Sequence, residues 1–135
     1  MVAPNKKLFS FFKYKKGAHF ERELSKELEK VGFKVIRAAG SGSDGTSPDL
    51  IALKTTKKFA FECKAHEQSI YLEKQKIAQY VDFENSTGLP VYIAWKVNRQ
   101  SWKFFPLSFL RETEKSFVIS ENDMAAGLDF DYLTN

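Results

Sequence analysis

Between Leu50 and Ala65 the residue order leaves the backbone few choices. Leu50 to Leu53 and Phe59 to Ala65 are short runs of high β-propensity on either side of a turn at Thr55 to Lys58, and together they predict a β-hairpin. In the second run a period of two sets Phe59, Phe61, Cys63 and Ala65 on one face and Glu62 and Lys64 on the other. The apolar face suits a core, so the hairpin must be covered by other layers. A chain of 135 residues with 43% hydrophobic and 15% aromatic content can build one such core of ordinary size and is too short for two.

The covering layers are legible on both sides. From Ala18 to Val31, Phe20, Leu24, Leu28 and Val31 recur at helical spacing, and Gly32 stops the helix. Glu21 lies at the border of that stripe and faces partly inward. Phe33 to Ala39 reads as a strand in which Arg37 alternates with Phe33, Val35 and Ala39, and residues 40 to 48 form a polar loop rich in turn formers. A second helix is expected from Glu73 to Asn85, with Ile77, Tyr80, Val81 and Glu84 on one side and Gly88 as its stop. Val91 to Val97 and Ser101 to Phe105 predict another hairpin, whose Trp95, Trp102, Phe104 and Phe105 belong to the core and a subunit interface. A helical turn at Leu107 to Leu110, a strand at Phe117 to Ile119 and an acidic turn at Gly127 to Leu133 complete an α/β domain, a mixed central sheet flanked by helices.

Charge divides the chain unevenly. The net charge is +4, and residues 1 to 16 carry Lys6, Lys7, Lys13, Lys15 and Lys16 with no acid, while Glu112 to Asn135 is acidic. Interleaved Phe9, Phe11, Phe12 and Tyr14 make residues 1 to 15 either a basic and aromatic arm that lies along phosphates or a solvated tail, ahead of a single domain over residues 16 to 135. No apolar run approaches the roughly 18 to 20 residues of a membrane span, and the expected setting is intracellular and cytoplasmic. The single Cys63 with His19 and His66 gives too few ligands for a zinc site of the usual kind, so any metal is held by oxygen.

Asp49 opens one strand of the first hairpin and Glu62 and Lys64 lie on the other. Pairing them brings two carboxylates and an amine to one edge of the sheet. Phosphodiester hydrolysis needs negative charge neutralised and hydroxide generated at neutral pH, which Mg²⁺ or Mn²⁺ on carboxylates supplies. Lys64 is then placed to orient water or stabilise the developing charge, with Glu21 as a further ligand or water partner. The same residues on a surface strand would form only a cross-strand ion pair, and both readings stand on this pattern alone.

Longer blocks add to it. Lys16 to Leu24, Gly32 to Ser41, Pro48-Asp49, Glu62 to Lys64 and Gly127 to Asp129 resemble the archaeal-type Holliday junction resolvases, within the restriction-endonuclease-like or PD-(D/E)XK superfamily, and the resemblance runs from Lys16 to Leu133. It implies a homodimeric, Mg²⁺-dependent endonuclease of an archaeal cell or a virus-infected host, binding four-way junction DNA by shape and cutting two strands symmetrically. Glu21, Asp49, Glu62 and Lys64 then fall on catalytic positions, the three acids as metal ligands. Arg22 and Arg37 fall on basic positions that contact DNA, Ser41 on a loop serine used in cleavage, and Gln75 on a polar position beside the site. From the charge pattern, Lys13, Lys15 and Lys16 join the DNA-binding set. A restriction or repair nuclease of the same superfamily and a non-catalytic junction-binding subunit are the competing readings.

Overall fold

The computed structural model describes residues 6–38, 47–97 and 99–135, with side chains from Ala18 onward. Helix α1 (Lys6–Lys30) leads into strand β1 (Lys34–Arg37), followed by β2 (Leu50–Lys54), β3 (Lys57–Ala65), β4 (Ile70–Glu73), helix α2 (Lys74–Thr87), β5 (Val91–Lys96) and β6 (Lys103–Pro106). A 3₁₀ turn at Leu107–Phe109 precedes β7 (Arg111–Glu112) and β8 (Ser116–Ile119), and a second at Glu121–Ala126 precedes β9 (Leu128–Asp129) and the short α3 (Phe130–Thr134). Six strands form the main sheet in the order β1-β2-β3-β5-β6-β9, and β4-β8-β7 make a small second sheet. Among the described residues, β3 and β5 run parallel within the main sheet, and its other pairings are antiparallel. This is the expected mixed sheet with helices on its faces.

Strand β3 is central and buried on both faces. Phe59 and Phe61 pack with Leu24 and Leu28 of α1, Leu50, Phe104 and Trp102, while Ala60 packs with Ile77 and Tyr80 of α2, Ile93, Trp95 and Phe105. Both predicted hairpins form, the first across a tight turn where Lys54 pairs with Lys57. Trp95, Trp102, Phe104 and Phe105 are all core residues. Each glycine predicted to stop a helix does so with positive φ: Gly32 at 100° after α1, and Gly88 at 76° after α2, where its N–H donates to the Glu84 carbonyl at 2.8 Å. Glu84 Oε1 also accepts from the Val91 N–H at 2.7 Å, tying α2 to the start of β5.

Several details differ from the expectation. Helix α1 starts at Lys6 rather than Ala18 and runs unbroken through residues 15 and 16, because lysine is a good helix former and one glycine, Gly17, costs a helix only about 1 kcal/mol. Val31 and Val81, expected on buried stripes, are exposed; Val31 lies in the turn beyond the end of α1. Strand β4 arises where no strand was expected, and it pairs with β8, the strand expected at Phe117 to Ile119. The acidic C-terminal segment forms β9 and α3, and it packs Leu133 into the core against the α1 side of the sheet.

Candidate active site

Asp49 is fixed by its neighbours on both sides. Its carbonyl accepts from the Ala38 N–H at 2.9 Å, continuing the β1–β2 pairing, and its Oδ2 accepts from the Cys63 N–H of β3 at 2.9 Å. Pro48 ahead of it is buried. The carboxylate therefore lies across the hairpin, beside Glu62, and the two carboxyl groups share a hydrogen bond. Glu62 is 6% exposed, a depth at which a lone charge is strongly disfavoured. Burial first, then the hydrogen bond and charge of Asp49, push its carboxyl up to about 8 against the pull of Lys64 and Tyr80. Two carboxyl groups crowded this closely in a buried place form a site that a cation can satisfy.

Lys64, on the same face of β3 as Glu62, places Nζ 4.0 Å from Glu62 Oε2 and is one-third exposed. Its side chain is far more exposed than that of Glu62, at 32% against 8%. Glu21, half-buried on α1, is raised by burial and by the charge of Asp49, while Arg37 of β1 binds its Oε2 through Nη2 at 3.3 Å and pulls the other way. Arg37 is thus held beside the acids, as its alternation along β1 suggested. Cys63 packs into the α1-side core, and its thiol is pushed well above its ordinary range by burial and then by Asp49, Glu21 and Glu62, which keeps it protonated and inert.

The fold brings Glu21, Asp49, Glu62, Lys64 and Arg37 to one end of the hairpin. Glu21 is turned to Arg37, and among the described residues no three His, Cys, Asp or Glu side chains stand together as a ready cage for an ion. Asp49 and Glu62 nevertheless fit Mg²⁺, which is commonly held by one or two carboxylates and completed by substrate phosphates and water. Arg22 and Gln75 are exposed, on α1 and on the first turn of α2. Ser41 and the side chains of Lys13, Lys15 and Lys16 lie outside the described residues. A hollow of about 710 Å³ lined by Lys96, Arg99, Trp102, Asp131 and Tyr132 shares none of the acidic residues. The residue that spacing missed is Tyr80, which reads as core on its helix and whose hydroxyl reaches Glu62's surroundings. No described helix is long and apolar enough to cross a membrane.

An acidic hairpin with a neighbouring lysine, set in a mixed sheet between helices, defines a domain of the restriction-endonuclease-like class. The family model of the archaeal Holliday junction resolvases matches residues 12–135, and the chain belongs to that family. It is 40% identical over 116 residues to the crossover junction endodeoxyribonuclease Hjc of Archaeoglobus fulgidus, covering 84% of this chain and 85% of that protein. With the Methanocaldococcus jannaschii enzyme of the same name it shares 40% identity over 120 residues, covering 87% and 86%. The solved structure of Archaeoglobus fulgidus Hjc, a Holliday junction resolvase, superposes with a TM-score of 0.80 at 37% identity, over 88% of this chain and 95% of that one.

Proposed function

We propose that the chain is a structure-selective endodeoxyribonuclease that resolves four-way DNA junctions by divalent-cation-dependent hydrolysis, working as a homodimer that makes paired, symmetric nicks. The observation that carries the chemistry is the acidic pair: Asp49 pinned by the Cys63 N–H, Glu62 buried against it, and Lys64 4.0 Å away at the open side. Family membership supports the choice of junction DNA over other duplex substrates.

The residues divide the work as follows. Asp49 and Glu62 would hold Mg²⁺, with Mn²⁺ able to substitute, and Glu21 serves as a further ligand or through an intervening water. The bound cation supplies charge neutralisation and a hydroxide nucleophile near neutral pH. Lys64 orients the attacking water or stabilises the charge that builds on the phosphate. Arg37, anchored by Glu21, receives a phosphate beside the scissile one, and exposed Arg22 extends that contact along the backbone. Ser41 acts from the segment that follows β1 in the chain, and Gln75 from the first turn of α2. Lys13, Lys15 and Lys16 add sequence-independent phosphate contacts that position the duplex without reading bases.

The deciding experiment compares a four-way junction, a linear duplex and a flap, each with Mg²⁺ and with EDTA. Paired nicks in the junction alone, lost with EDTA, are expected. Cutting of linear duplex at an equal rate would assign the chain to the restriction or repair nucleases instead. Tight junction binding with no cleavage in any metal would mark a non-catalytic binding subunit.

A further inference from the structure

The turn that joins β2 to β3 carries a second concentration of positive charge. Lys54 and Lys57 pair across it, and Lys34 of β1 and Lys58 of β3 both pair with Leu53, which sets them on one face of the sheet about 10 Å apart at the backbone. Lys30 ends α1, and Lys54 joins it to the group by donating to the Val31 carbonyl at 3.1 Å, with its ammonium 4.8 Å from the centre of the Phe33 ring. The other two hairpin lysines also bond to carbonyls: Lys57 to Leu133 at 3.2 Å and to Asn135, and Lys58 to Lys54 at 3.1 Å and Thr55 at 3.2 Å. Carbonyls orient an ammonium without cancelling its charge, and an ammonium has three donors, so each of the three keeps one to offer. Elsewhere Arg37, Lys64, Lys74, Lys96 and Lys103 each stand within 4.0 Å of a carboxylate. Among the described residues none of the five lysines at this end is so paired with an Asp or Glu, and Glu27, which feels the charge of Lys30, feels that of Lys96 more.

Like charges gathered without acids repel, and a polyanion removes that repulsion. Lys58 precedes Glu62 by four residues on β3, about 13 Å along the strand. Each strand of a duplex carries a phosphate about every 3.4 Å, so this distance matches roughly four base pairs of an arm leading away from the cut. The face of β3 between the two is closed, because Ala60 packs under Ile77 and Tyr80 of α2. The outermost strand, β1, is open instead: Arg37 lies exposed at the end beside the acids and Lys34 exposed at the end beside the turn. We propose that the lysines around the β2–β3 turn bind the phosphate backbone of a junction arm about four base pairs from the scissile phosphate, the arm passing along the outer side of β1. Positive charge at both ends of β1, one of them at the acidic site, favours DNA over an acidic protein surface as the occupant. The proposal rests on the junction-nuclease reading above and adds where an arm lies.

The test is the full chain carrying Lys30→Gln, Lys34→Gln and Lys58→Gln together, with junction affinity measured in EDTA at several salt concentrations. The slope of log affinity against log salt should become shallower by about 2 to 3 per chain, since each phosphate contact on duplex DNA contributes about 0.9. Cleavage at saturating junction should be unchanged, because the lysines touch no reacting atom. Junctions with neutral methylphosphonates about three to five base pairs from the cut supply a second readout; they should bind the wild type more weakly and the variant no differently from unmodified DNA. An unchanged slope in a folded variant, or equal weakening of both proteins by the methylphosphonates, would overturn the DNA contact and leave the patch to an acidic protein partner, with the junction nuclease still standing. A shallower slope on junction and linear duplex alike, with no junction cut by either protein, would keep the contact and overturn the junction-nuclease reading. If the triple variant does not fold, Lys30→Gln with Lys34→Gln decides in its place, with a change in slope of about 2, since neither side chain makes a hydrogen bond or ion pair among the described residues.

Discussion

Glu62 is held where a carboxylate is least comfortable, and that makes it separable from its own fold. Replaced by glutamine, it keeps its shape and loses the charge, so Glu62→Gln should reduce junction cleavage by at least about 100-fold while leaving junction affinity nearly unchanged, because few phosphate contacts depend on it. The same variant should melt at a higher temperature than the metal-free wild type at pH 8. The sign follows from proton binding. Glu62 titrates near 8 in the folded chain and near 4.5 when unfolded, so its full stabilising contribution is present below about 4.5 and is lost as pH rises through 8. Melting curves of wild type and E62Q between pH 4.5 and 8.5, in EDTA, should therefore diverge as pH rises; parallel curves would refute the burial argument. Asp49, Glu62 and Lys64 were legible in the sequence because a strand's period of two fixes which side chains share a face, and Glu21 because it borders a helical stripe. Tyr80 was not. Its hydroxyl matters only through the placement of α2 across β3, which no local spacing records.

Elements carry the next level of consequence. The block Gly127 to Asp129, part of the family resemblance, has a steric reason here: a Cβ at Gly127 would stand 2.7 Å from Phe105 Cζ and 2.9 Å from Lys103 Cβ. Gly127→Ala should destabilise the domain by about 1 to 3 kcal/mol, read from urea unfolding, since β9 would have to lift from β6. The long strands and both hairpins were predicted because their alternation is local. Strand β4 was not, since Ile70–Glu73 is only four residues long and pairs with β8, far along the chain. The start of α1 was missed for a different reason: Lys13, Lys15, Lys16 and Gly17 interrupt the apolar spacing ahead of Phe20. That continuous helix bears on the basic segment. Deleting residues 1 to 15 removes Lys6, Lys7, Lys13 and Lys15, and if each neutralises a phosphate the slope of log affinity against log salt should become shallower by about 3 to 4 per chain. Junction binding at several salt concentrations, full-length against truncated, reads this directly; an unchanged slope would leave the segment out of DNA binding.

At the scale of the whole molecule, two symmetric nicks require two acidic hairpins related by a twofold axis. Sedimentation should give about 31 kDa, twice the 15.5 kDa chain, with or without junction DNA, and a monomer under both conditions would rule out paired cutting by this route. The main sheet also has an order of assembly written into its connections. Strands β2 and β3 meet across a tight turn, whereas Ala60 of β3 meets Val91 of β5 only after β4 and α2 have been traversed. Closing the short connection loses little chain entropy and closing the long one loses much more. Folding therefore brings Asp49 and Glu62 together early, as a solvated pair of acids that repel above their ordinary titration range. The later arrival of the crossover, with Tyr80 aboard, is the step that seals them from water. Refolding should accordingly run faster in mild acid than at pH 8, with the rate-limiting event being the burial of a charge rather than the search for a strand.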